Sequence, residues 1–406
     1  MLSSQLLSTL LLVLTAVANP VVVDSFVTLP ISKKVNFTGA RTVLDRDIAR
    51  VRHLRDKAAA RLRGHSVDAV TSSQVTNLAT TYVASVGVGS PATTYSLLVD
   101  TGSSNTWVGA GQAYVRTSTS VATGQEVEVT YGSGDFEWNF SSLLGNEFLD
   151  QVTIAPGLVI PQQSIGVATS SEGFEGVDGI LGIGPTDLTL DTLSPDTSSS
   201  IPTVTDNLFS QGTISADQIG ISFEPTSSLE VENGEITWGG TDSTKFTGSI
   251  IFTEFWGINQ SIKYGTTTIL STTAGIVDTG TTLLLLASNA FSAYTRATGA
   301  VTDETTGLLR VTTAQFNALE SLTFTTSGGS FVFTANAQLW PRALNTAIGG
   351  RTNLIYLIVG NLGTPSGEGF DFVNGFVFLE RFYSVFDTAN KQVGFATTSF
   401  TDVTTN

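Results

Sequence analysis

The stretch LLVDTGSSNTWV, residues 97–108, carries a short apolar run into one acidic residue, Asp100, that is followed at once by Thr and Gly. A second stretch, IVDTGTTL at residues 276–283, repeats this order around Asp278. A lone Asp-Thr-Gly is expected by chance in roughly one chain in ten of this length. Two copies, each after apolar residues, each before two hydroxyl residues and about one domain's length apart, indicate the internal repeat of a site.

The residue types in the two loops suit a pair of facing carboxylates. Gly102 and Gly280 follow the acidic residues by two positions, and a residue without Cβ lets the backbone turn sharply and approach another backbone closely. We therefore expect Asp100 and Asp278 to meet across a two-fold axis. Two such carboxylates cannot both ionise readily, so one holds a proton while the other stays charged, which provides a general acid and a general base around one water.

Four hydroxyl residues are predicted to support this pair. Thr101 and Thr279 can lock the two turns to each other through hydroxyl-to-backbone hydrogen bonds, and Ser103 and Thr281 can donate to the outer carboxylate oxygens. The alternative is that both stretches are ordinary β-turns with Asp at a favoured position.

Over residues 82–399 the chain resembles the pepsin-type aspartic endopeptidases. Its amino-acid sequence is most similar to those of their cysteine-free fungal branch, the polyporopepsins. The likeness is carried by the two Asp loops and by three further stretches: GVDGILGIGP at 176–185, IPTVTDNLFSQGTI at 201–214 and TANAQLWPR at 334–342. The resemblance implies an all-β, bilobal pepsin-like fold, with two pseudo-two-fold-related β lobes and a few short helices. Aspartic proteases are themselves the standard example of a carboxylate pair sharing a proton.

Residues 125–136, QEVEVTYGSGDF, alternate apolar side chains up to a Gly-Ser-Gly and predict a hairpin. The resemblance implies that this hairpin is a flap over the cleft, with the hydroxyl of Tyr131 facing Trp107; a core hairpin is the alternative. Val177 and Ile180 are implied as the apolar wall of the primary specificity pocket. The flap and substrate-binding residues implied together are Tyr131, Gly132, Ser133, Trp107, Val177, Ile180 and Thr282.

The family also has an apolar-apolar-Gly segment that threads under each Asp loop. Residues 180–182, Ile-Leu-Gly, fit the first of these segments. Residues 373–375, Val-Asn-Gly, are the second, and Asn374 departs from the apolar residue that the resemblance implies.

Composition excludes more chemistry than it suggests. The chain has no Cys, and its two histidines, His53 and His65, both lie near the N-terminus. Beyond them, Ser-His-Asp or Cys-His nucleophiles, His or Cys zinc sites and disulfides are excluded, so we expect no metal and no cofactor. Acid-base chemistry by Asp or Glu remains. Abundant Ser, Thr and Gly without long charged runs predict many short strands.

Residues 1–18 are a Leu-, Val- and Ala-rich run that ends in an A-x-A cleavage pattern and is too short to cross a membrane. They predict a secretory signal peptide, and the alternative is a buried hydrophobic N-terminus. We therefore expect a secreted, extracellular monomer without a membrane anchor.

Residues 41–63, RTVLDRDIARVRHLRDKAAARLR, predict a basic amphipathic helix with Thr42 as cap and Gly64 as stop.

Residues 76–406 hold nine Lys or Arg and thirty Asp or Glu, a net charge of −21. A basic helix before an acidic body resembles the family's propeptide, which covers the cleft and is cut off in acid. The expected partners are thus this propeptide and polypeptide substrates. A nucleic-acid arm would also be basic, but the acidic body repels phosphate. The sequence does not settle which basic residue reaches the Asp pair.

We accordingly predict four parts of the chain. They are residues 1–18 as signal peptide, 19–70 as propeptide with an end between 64 and 76, 71–225 as N-terminal lobe with the first Asp loop and flap, and 226–406 as C-terminal lobe with the second Asp loop. A linker is predicted at 226–233, and short helices at 288–298 and 313–322.

Two stretches depart from the family pattern. Residues 138–144, WNFSSLL, have no expected counterpart, and the chain looks several residues short between Phe252 and Trp256. Either these are tolerated surface changes or the coding sequence is misassigned at two splice junctions, and we favour the second. Asn139 and Asn259 are glycosylation acceptors if they are exposed.

The favoured function is an acid endopeptidase that hydrolyses internal peptide bonds by water attack, without a covalent intermediate. A binding protein on the same fold is one alternative, but it would be expected to lose an Asp, Tyr131 or a flap Gly. A glycosidase on a β-sandwich is another, and it needs two carboxyls about 5 to 10 Å apart with aromatic sugar platforms. Direct hydrogen-bond contact between the two Asp side chains would favour the protease.

Overall fold

The computed structural model of the protein describes residues 26–35, 42–62, 80–131, 141–172, 174, 176–254 and 257–405. Within these residues the chain consists mostly of strands. The strands are β1 (Val27–Val35), β2 (Thr80–Val88), β3 (Thr93–Asp100), β4 (Trp107–Val108), β5 (Val121–Tyr131), β6 (Ser141–Ala155), β7 (Leu158–Glu172), β8 (Gly179–Gly182), β9 (Leu193–Ser194), β10 (Gln218–Ser222), β11 (Glu230–Trp238), β12 (Thr247–Glu254), β13 (Gly257–Tyr264), β14 (Thr267–Val277), β15 (Leu284–Leu286), β16 (Val301–Thr302), β17 (Leu309–Val311), β18 (Leu322–Thr326), β19 (Ser330–Phe333), β20 (Ile355–Leu357), β21 (Val359–Asn361), β22 (Phe372–Asn374), β23 (Phe382–Asp387) and β24 (Gln392–Thr397). The α-helices are α1 (Val43–Leu62), α2 (Val204–Ser210), α3 (Ser288–Thr298), α4 (Thr313–Asn317) and α5 (Phe376–Leu379). Short 3-10 helices cover Thr186–Thr189, Asn336–Gln338 and Arg342–Ile348.

The two Asp loops are carried by the same arrangement of strands. In the first lobe β3 pairs antiparallel with β2 and parallel with β8, and β8 pairs antiparallel with β4. In the second lobe β14 pairs antiparallel with β13 and parallel with β22, and β22 pairs antiparallel with β15. Strands β4 and β15 each pair in parallel with one further strand, β7 and β21. The repeat seen in the sequence is therefore a repeat of the whole strand framework around each Asp.

Strand β1, from the predicted propeptide, lies inside the larger sheet and not at its edge. It pairs antiparallel with β11 on one side and with β2 on the other. From β11 the sheet continues through β10, β23 and β24 to β12. This strand therefore connects the part of the sheet that carries Asp100 to strands from the C-terminal part of the chain. No sequence pattern described above predicts it.

The core is filled by aliphatic and aromatic side chains at alternate strand positions. In β13, for example, Ile258, Ile262 and Tyr264 are buried whereas Asn259 and Lys263 are exposed. Burying one such apolar side chain contributes about 1.5 to 3 kcal/mol. The exposure of Asn259 meets the condition for its predicted glycosylation, and its use stays a prediction.

Helices α1 and α3 agree with the predicted helices at 41–63 and 288–298, and Thr42 exchanges hydrogen bonds with Asp45 as the cap of α1. The predicted stop of α1 at Gly64 lies outside the described residues. Two other boundaries are wrong. Helix α4 ends before the predicted limit because Leu322 is buried in β18, between β13 and β19. The predicted linker is also too long, because its second half pairs with β1 as the start of β11.

The two departures from the family pattern are not settled. Residues 132–140 and 255–256 lie outside the described part of the chain, and Asn139 lies there too. The described end of the first stretch continues β6, where Leu143 is buried and Leu144 is exposed. That the coding sequence is misassigned at these two places therefore stays a prediction.

Candidate active site

The two Asp loops are locked to each other by their threonines. The Thr101 N–H donates to Thr279 Oγ1 at 2.9 Å, and the Thr279 N–H donates to Thr101 Oγ1 at 3.0 Å. Each hydroxyl also donates to the other lobe, Thr279 Oγ1 to the Val99 carbonyl at 3.0 Å and Thr101 Oγ1 to the Val277 carbonyl at 3.4 Å. The loops are thus held in one relative position by hydrogen bonds that are nearly symmetric.

The two carboxylates are fully buried and supported in matching ways. Ser103 Oγ donates to Asp100 Oδ2 at 2.5 Å, and Thr281 Oγ1 donates to Asp278 Oδ2 at 2.5 Å. The backbone N–H two residues beyond each Asp donates to the other oxygen, Oδ1, at 2.9 Å in the first loop and 3.0 Å in the second. The predicted roles of all four hydroxyl residues match these contacts.

Glycine is needed where the loops meet. A Cβ at Gly102 would lie 2.7 Å from Asp278 Oδ1, and a Cβ at Gly280 would lie 2.8 Å from Asp100 Oδ1. Any larger residue would push the opposite carboxylate away. The glycines therefore let each loop approach the Asp of the other lobe.

The basic residue that reaches the pair is Arg50, from helix α1. Its Nη2 donates to Asp100 Oδ1 at 2.5 Å and to Asp278 Oδ1 at 2.9 Å, and its Nε donates to Asp278 Oδ2 at 2.6 Å. One guanidinium nitrogen therefore contacts both carboxylates at once. Nη2 contacts the inner oxygen, Oδ1, of each carboxylate. The outer oxygens, Oδ2, accept the Ser103 and Thr281 hydroxyls.

The charges around the pair set its protonation. Burial raises the pKa of Asp100, the charge of Asp278 adds to this, and Arg50 opposes it. Burial also disfavours the charged form of Asp278, but the Arg50 guanidinium and the Thr281 and Gly280 hydrogen bonds outweigh burial and lower its pKa. The geometry places the guanidinium to hold Asp278 ionised while Asp100 is the carboxyl that gains a proton more easily.

A second charged residue of α1 contacts the segment between the second Asp loop and β15. Asp47 is buried and accepts hydrogen bonds from the Thr282 N–H at 3.1 Å and the Leu283 N–H at 2.7 Å. Burial raises the pKa of Asp47 to about 6. Arg46 and Arg55 add outer contacts, to the Gly280 carbonyl and to Thr364 Oγ1.

Arg50 and Asp47 were not singled out by the sequence, although a signal for them exists. Val43 and Val51 are buried on the face by which α1 packs on the body. Asp47 and Arg50 follow Val43 by four and seven positions, so they lie on that same face. Charged residues at such positions are rarely buried without partners, and here the partners are the catalytic candidates and a backbone segment.

The predicted pocket residues lie together, and the predicted flap tip is outside the described residues. Trp107 and Ile180 face each other across β4 and β8, and Val177 belongs to the same apolar cluster. Strands β5 and β6 form the predicted hairpin, with Tyr131 opposite Ser141. Gly132, Ser133 and the side chain of Tyr131 are not described, so the contact between Tyr131 and Trp107 stays a prediction.

The unexpected Asn374 has a partner. Its amide exchanges hydrogen bonds with Gln260, Nε2 to Oδ1 at 3.2 Å and Nδ2 to Oε1 at 3.1 Å, and both side chains are buried. The Asn374 carbonyl accepts the Asp278 N–H at 3.2 Å. A polar residue is thus tolerated under the second Asp loop because a second polar residue satisfies it.

In the described residues no group of His, Cys, Asp and Glu is arranged to hold a metal ion. None of the helices in that part of the chain combines the length and the apolar character needed to cross a membrane.

Comparison with known proteins identifies the class. The profile of the eukaryotic aspartyl protease family matches residues 81–398, so the chain belongs to this family and is an aspartic-type endopeptidase, a hydrolase. Among its relatives, polyporopepsin from Irpex lacteus is 62% identical over 348 residues, which cover 83% of this chain and 100% of that protein. Gastricsin from Cavia porcellus is 30% identical and covers 78% of this chain and 80% of its own. The predicted family is confirmed.

A solved structure is similar over nearly the whole chain. The crystal structure of an aspartic proteinase from Irpex lacteus matches with a TM-score of 0.79 and 55% identity, and it covers 94% of this chain and 100% of its own. The predicted all-β, bilobal fold is therefore confirmed.

Proposed function

We propose that the chain is the zymogen of a secreted acid endopeptidase, in which Asp100 and Asp278 are the catalytic residues and the segment before about residue 70 is an inhibitory prosegment. The observation that carries this proposal is the position of Arg50 Nη2, within hydrogen-bond distance of both carboxylates. A cation between two facing acids occupies the place where an attacking water would have to sit.

In the free enzyme the pair holds one proton, because two buried carboxylates in such proximity do not both ionise readily. The charged carboxylate removes a proton from the water, whose oxygen then bonds to the carbon of the peptide carbonyl. The protonated carboxyl gives its proton to the carbonyl oxygen. When the C–N bond breaks, a proton passes to the leaving amine and the carbonyl re-forms, so no bond to the enzyme is made.

The prosegment inhibits at two places in this proposal. Arg50 neutralises the pair, and Asp47 takes up the backbone donors of Thr282 and Leu283, which a bound peptide could otherwise use. The hydrogen bond from Arg55 to Thr364 Oγ1 adds to the docking of α1.

Release of the prosegment in acid follows from the direction in which the pKa of Asp278 is shifted. Arg50 lowers the pKa of Asp278, so its contribution to docking is present at neutral pH and is lost as pH falls and the carboxylate is protonated. Asp47 acts in the opposite direction. Because burial raises its pKa to about 6, its contribution weakens as pH rises. Acid release therefore depends on the Arg50 contacts dominating, as charge-assisted hydrogen bonds to two carboxylates should.

Secretion is supported by the signal-like residues 1–18, and polypeptides are the expected substrates. The side chains at the implied pocket, Val177 and Ile180, favour apolar or aromatic residues next to the cut. Peptide cleavage is shared with the named relatives, whereas the residue roles and the zymogen form belong to the proposal.

The test is digestion of a denatured protein at pH 3 to 4, with and without pepstatin. We expect internal cleavage that pepstatin stops. Asp100→Asn and Asp278→Asn should each fold normally but show no cleavage, because an amide cannot exchange the proton. Glu304→Gln, at an exposed acid, is the matched control and should keep full activity. An Asn variant with a tenth of the parent's activity would refute the catalytic assignment.

A further inference from the structure

A buried ion pair joins the prosegment to the body far from the Asp loops in sequence. Lys33 Nζ, in the middle of β1, lies 2.5 Å from Glu380 Oε1, just after α5. Their side chains are 3% and 7% exposed. The Tyr82 hydroxyl donates to the same Oε1 at 3.1 Å. Glu380 therefore has one oxygen held by a cation from β1 and by a neutral donor from β2.

One other cation lies near Glu380: the charge of the buried Arg381 interacts with the Glu380 carboxylate, but the hydrogen bonds of its guanidinium go to backbone carbonyls. Arg381 follows Glu380 in sequence, and its Nη1 donates to the carbonyls of Phe400 at 3.2 Å and Val403 at 2.7 Å. Glu224 offers its carbonyl to the Tyr82 hydroxyl at 3.3 Å. Burial and the Glu380 carboxylate raise the pKa of Tyr82, so this hydroxyl stays a donor.

The adjoining chain offers no lysine or arginine to replace Lys33. Residues 64–79 read GHSVDAVTSSQVTNLA and hold no Lys or Arg. Strand β1 occupies the place between β2 and β11, and whichever part of residues 64–79 stays on the enzyme and enters that place brings no such side chain. Loss of the prosegment therefore removes the ammonium from a site that keeps its carboxylate.

We propose that Glu380 takes up one proton from solvent when the prosegment leaves, and that the mature enzyme needs this proton to keep the packing around Tyr82 closed. The inference rests on the proposed function, because Lys33 must leave with the prosegment. A buried carboxylate that has lost its partner is costly in the charged form and far less so as a neutral acid. The neutral acid can still accept the Tyr82 hydrogen bond.

This proton uptake makes Glu380 a switch between two forms of the protein. The zymogen holds Glu380 charged against Lys33, and the mature enzyme holds it neutral. Acid therefore favours the mature form, and neutral pH favours the form that keeps β1. The same residue makes a processed enzyme labile near neutrality, since deprotonation then leaves a buried carboxylate without the cation that is hydrogen-bonded to it in the zymogen.

Glu380→Gln separates the two forms because glutamine has the shape of the neutral acid. In the zymogen it leaves the Lys33 ammonium buried without a partner, so processing should occur at a higher pH than in the parent. In the processed enzyme it should raise the melting temperature at pH 7 by about 2 °C or more, with no change at pH 4. Lys33→Met with Glu380→Gln removes both the buried ammonium and the group that takes up the proton, so zymogen processing should depend less steeply on pH than in the parent.

Lys33→Met alone serves as matched control and second probe. Once processed it is identical to the parent, so its melting curves must coincide with the parent's. As a zymogen it should become less stable at pH 7 than at pH 4, relative to the parent. This keeps the proposal testable even if Glu380→Gln folds poorly.

Two results would overturn the inference. A processed Glu380→Gln enzyme that melts lower than the parent at pH 7 would mean that His65 or the new α-amino group has replaced Lys33. Equal melting temperatures of the processed variant and the processed parent at pH 7 would mean that protonation of Glu380 does not affect the stability of the processed enzyme. If the parent digests no protein, but prosegment removal by an added endopeptidase gives the expected difference in melting, the proposed function fails and the assignment of Glu380 stands.

Discussion

The guanidinium of Arg50 donates two hydrogen bonds to the carboxylate of Asp278, from Nε to Oδ2 at 2.6 Å and from Nη2 to Oδ1 at 2.9 Å. The Nη2 atom also reaches Asp100. This use of a planar fork is available to arginine and not to lysine, whose ammonium is a point charge. The contact to the Asp100 and Asp278 carboxylates is thus specific in geometry as well as in charge.

We predict that Arg50→Gln weakens docking of the prosegment by about 3 to 5 kcal/mol, the usual cost of removing one partner of a buried ion pair. Because less acid is then needed for release, the pH at which half of the zymogen is processed should rise. Arg50→Lys should give an intermediate rise. The measurement is gel-resolved processing against pH. Arg296→Gln, at an exposed site on α3, is the control and should process as the parent does. An unchanged pH midpoint for Arg50→Gln would contradict the proposed inhibition.

The reciprocal hydrogen bonds between Thr101 and Thr279, which lock the two Asp loops together, give a second prediction. Thr101→Val and Thr279→Val each remove an acceptor from a buried N–H of the other loop, which should lower the free energy of unfolding by about 1 to 3 kcal/mol. The carboxylates of Asp100 and Asp278 would also shift, so kcat should fall on the order of tenfold to a hundredfold. Thr101→Ser keeps the hydroxyl and should recover most of the activity. Loss of stability with unchanged kcat would show that the lock does not position the pair.

The sequence allowed the core of this site to be predicted because its signals are local. Asp, Thr and Gly at fixed offsets after an apolar strand determine which atoms can face each other, and the repeat implied two facing loops. The reciprocal Thr101 and Thr279 bonds and the Ser103 and Thr281 contacts agree with that prediction.

Contacts that depend on tertiary placement could not be predicted. The role of Arg50 depends on how α1 lies across the body, and α1 has several other basic residues with similar local surroundings. Strand β1 gains its stability from two neighbours that lie far away in sequence. Asn374 could be recognised as a departure from the family pattern, but its partner Gln260 is 114 positions away. The flap role of Tyr131 is still a prediction, to be tested by the turnover of Tyr131→Ala.

The amide pair under the second loop gives a third prediction. Asn374→Leu leaves the buried Gln260 amide without its partner and should cost about 1 to 3 kcal/mol of stability. Gln260→Leu together with Asn374→Leu replaces both amides by apolar groups and should recover most of that loss, because neither polar group is then left unsatisfied. Denaturant unfolding of the full-length chain measures both. A double variant less stable than the single one would mean that the amides fill a space that two leucines do not fit.

The last prediction is that the processed enzyme loses stability as pH rises towards neutrality. Its thirty acidic residues face nine basic ones, so most carboxylates have no cation to pair with. Asp217 illustrates the local effect: burial, followed by the charge of Asp206 and a hydrogen bond to it, raises the pKa of Asp217 to about 7.

A carboxyl whose pKa is raised by folding binds more protons in the folded state than in the unfolded state. Its contribution to stability is complete below the unfolded value near 4 and is lost as pH rises towards 7. Asp217→Asn should therefore melt higher than the parent at pH 7 and equally at pH 4, since the amide can still donate to Asp206.

Asp150 is the contrasting control, because hydrogen bonds from Ser120, Thr119 and Tyr114 outweigh burial and lower its pKa. Asp150→Asn should reduce stability at pH 7 more than at pH 3. Added salt should partly restore the parent at pH 7 by screening repulsion over about 10 Å at 0.1 M. A melting temperature that is flat or rises from pH 4 to 8 would show that hydrogen bonds to carboxylates, such as those of Asp150, outweigh the excess negative charge.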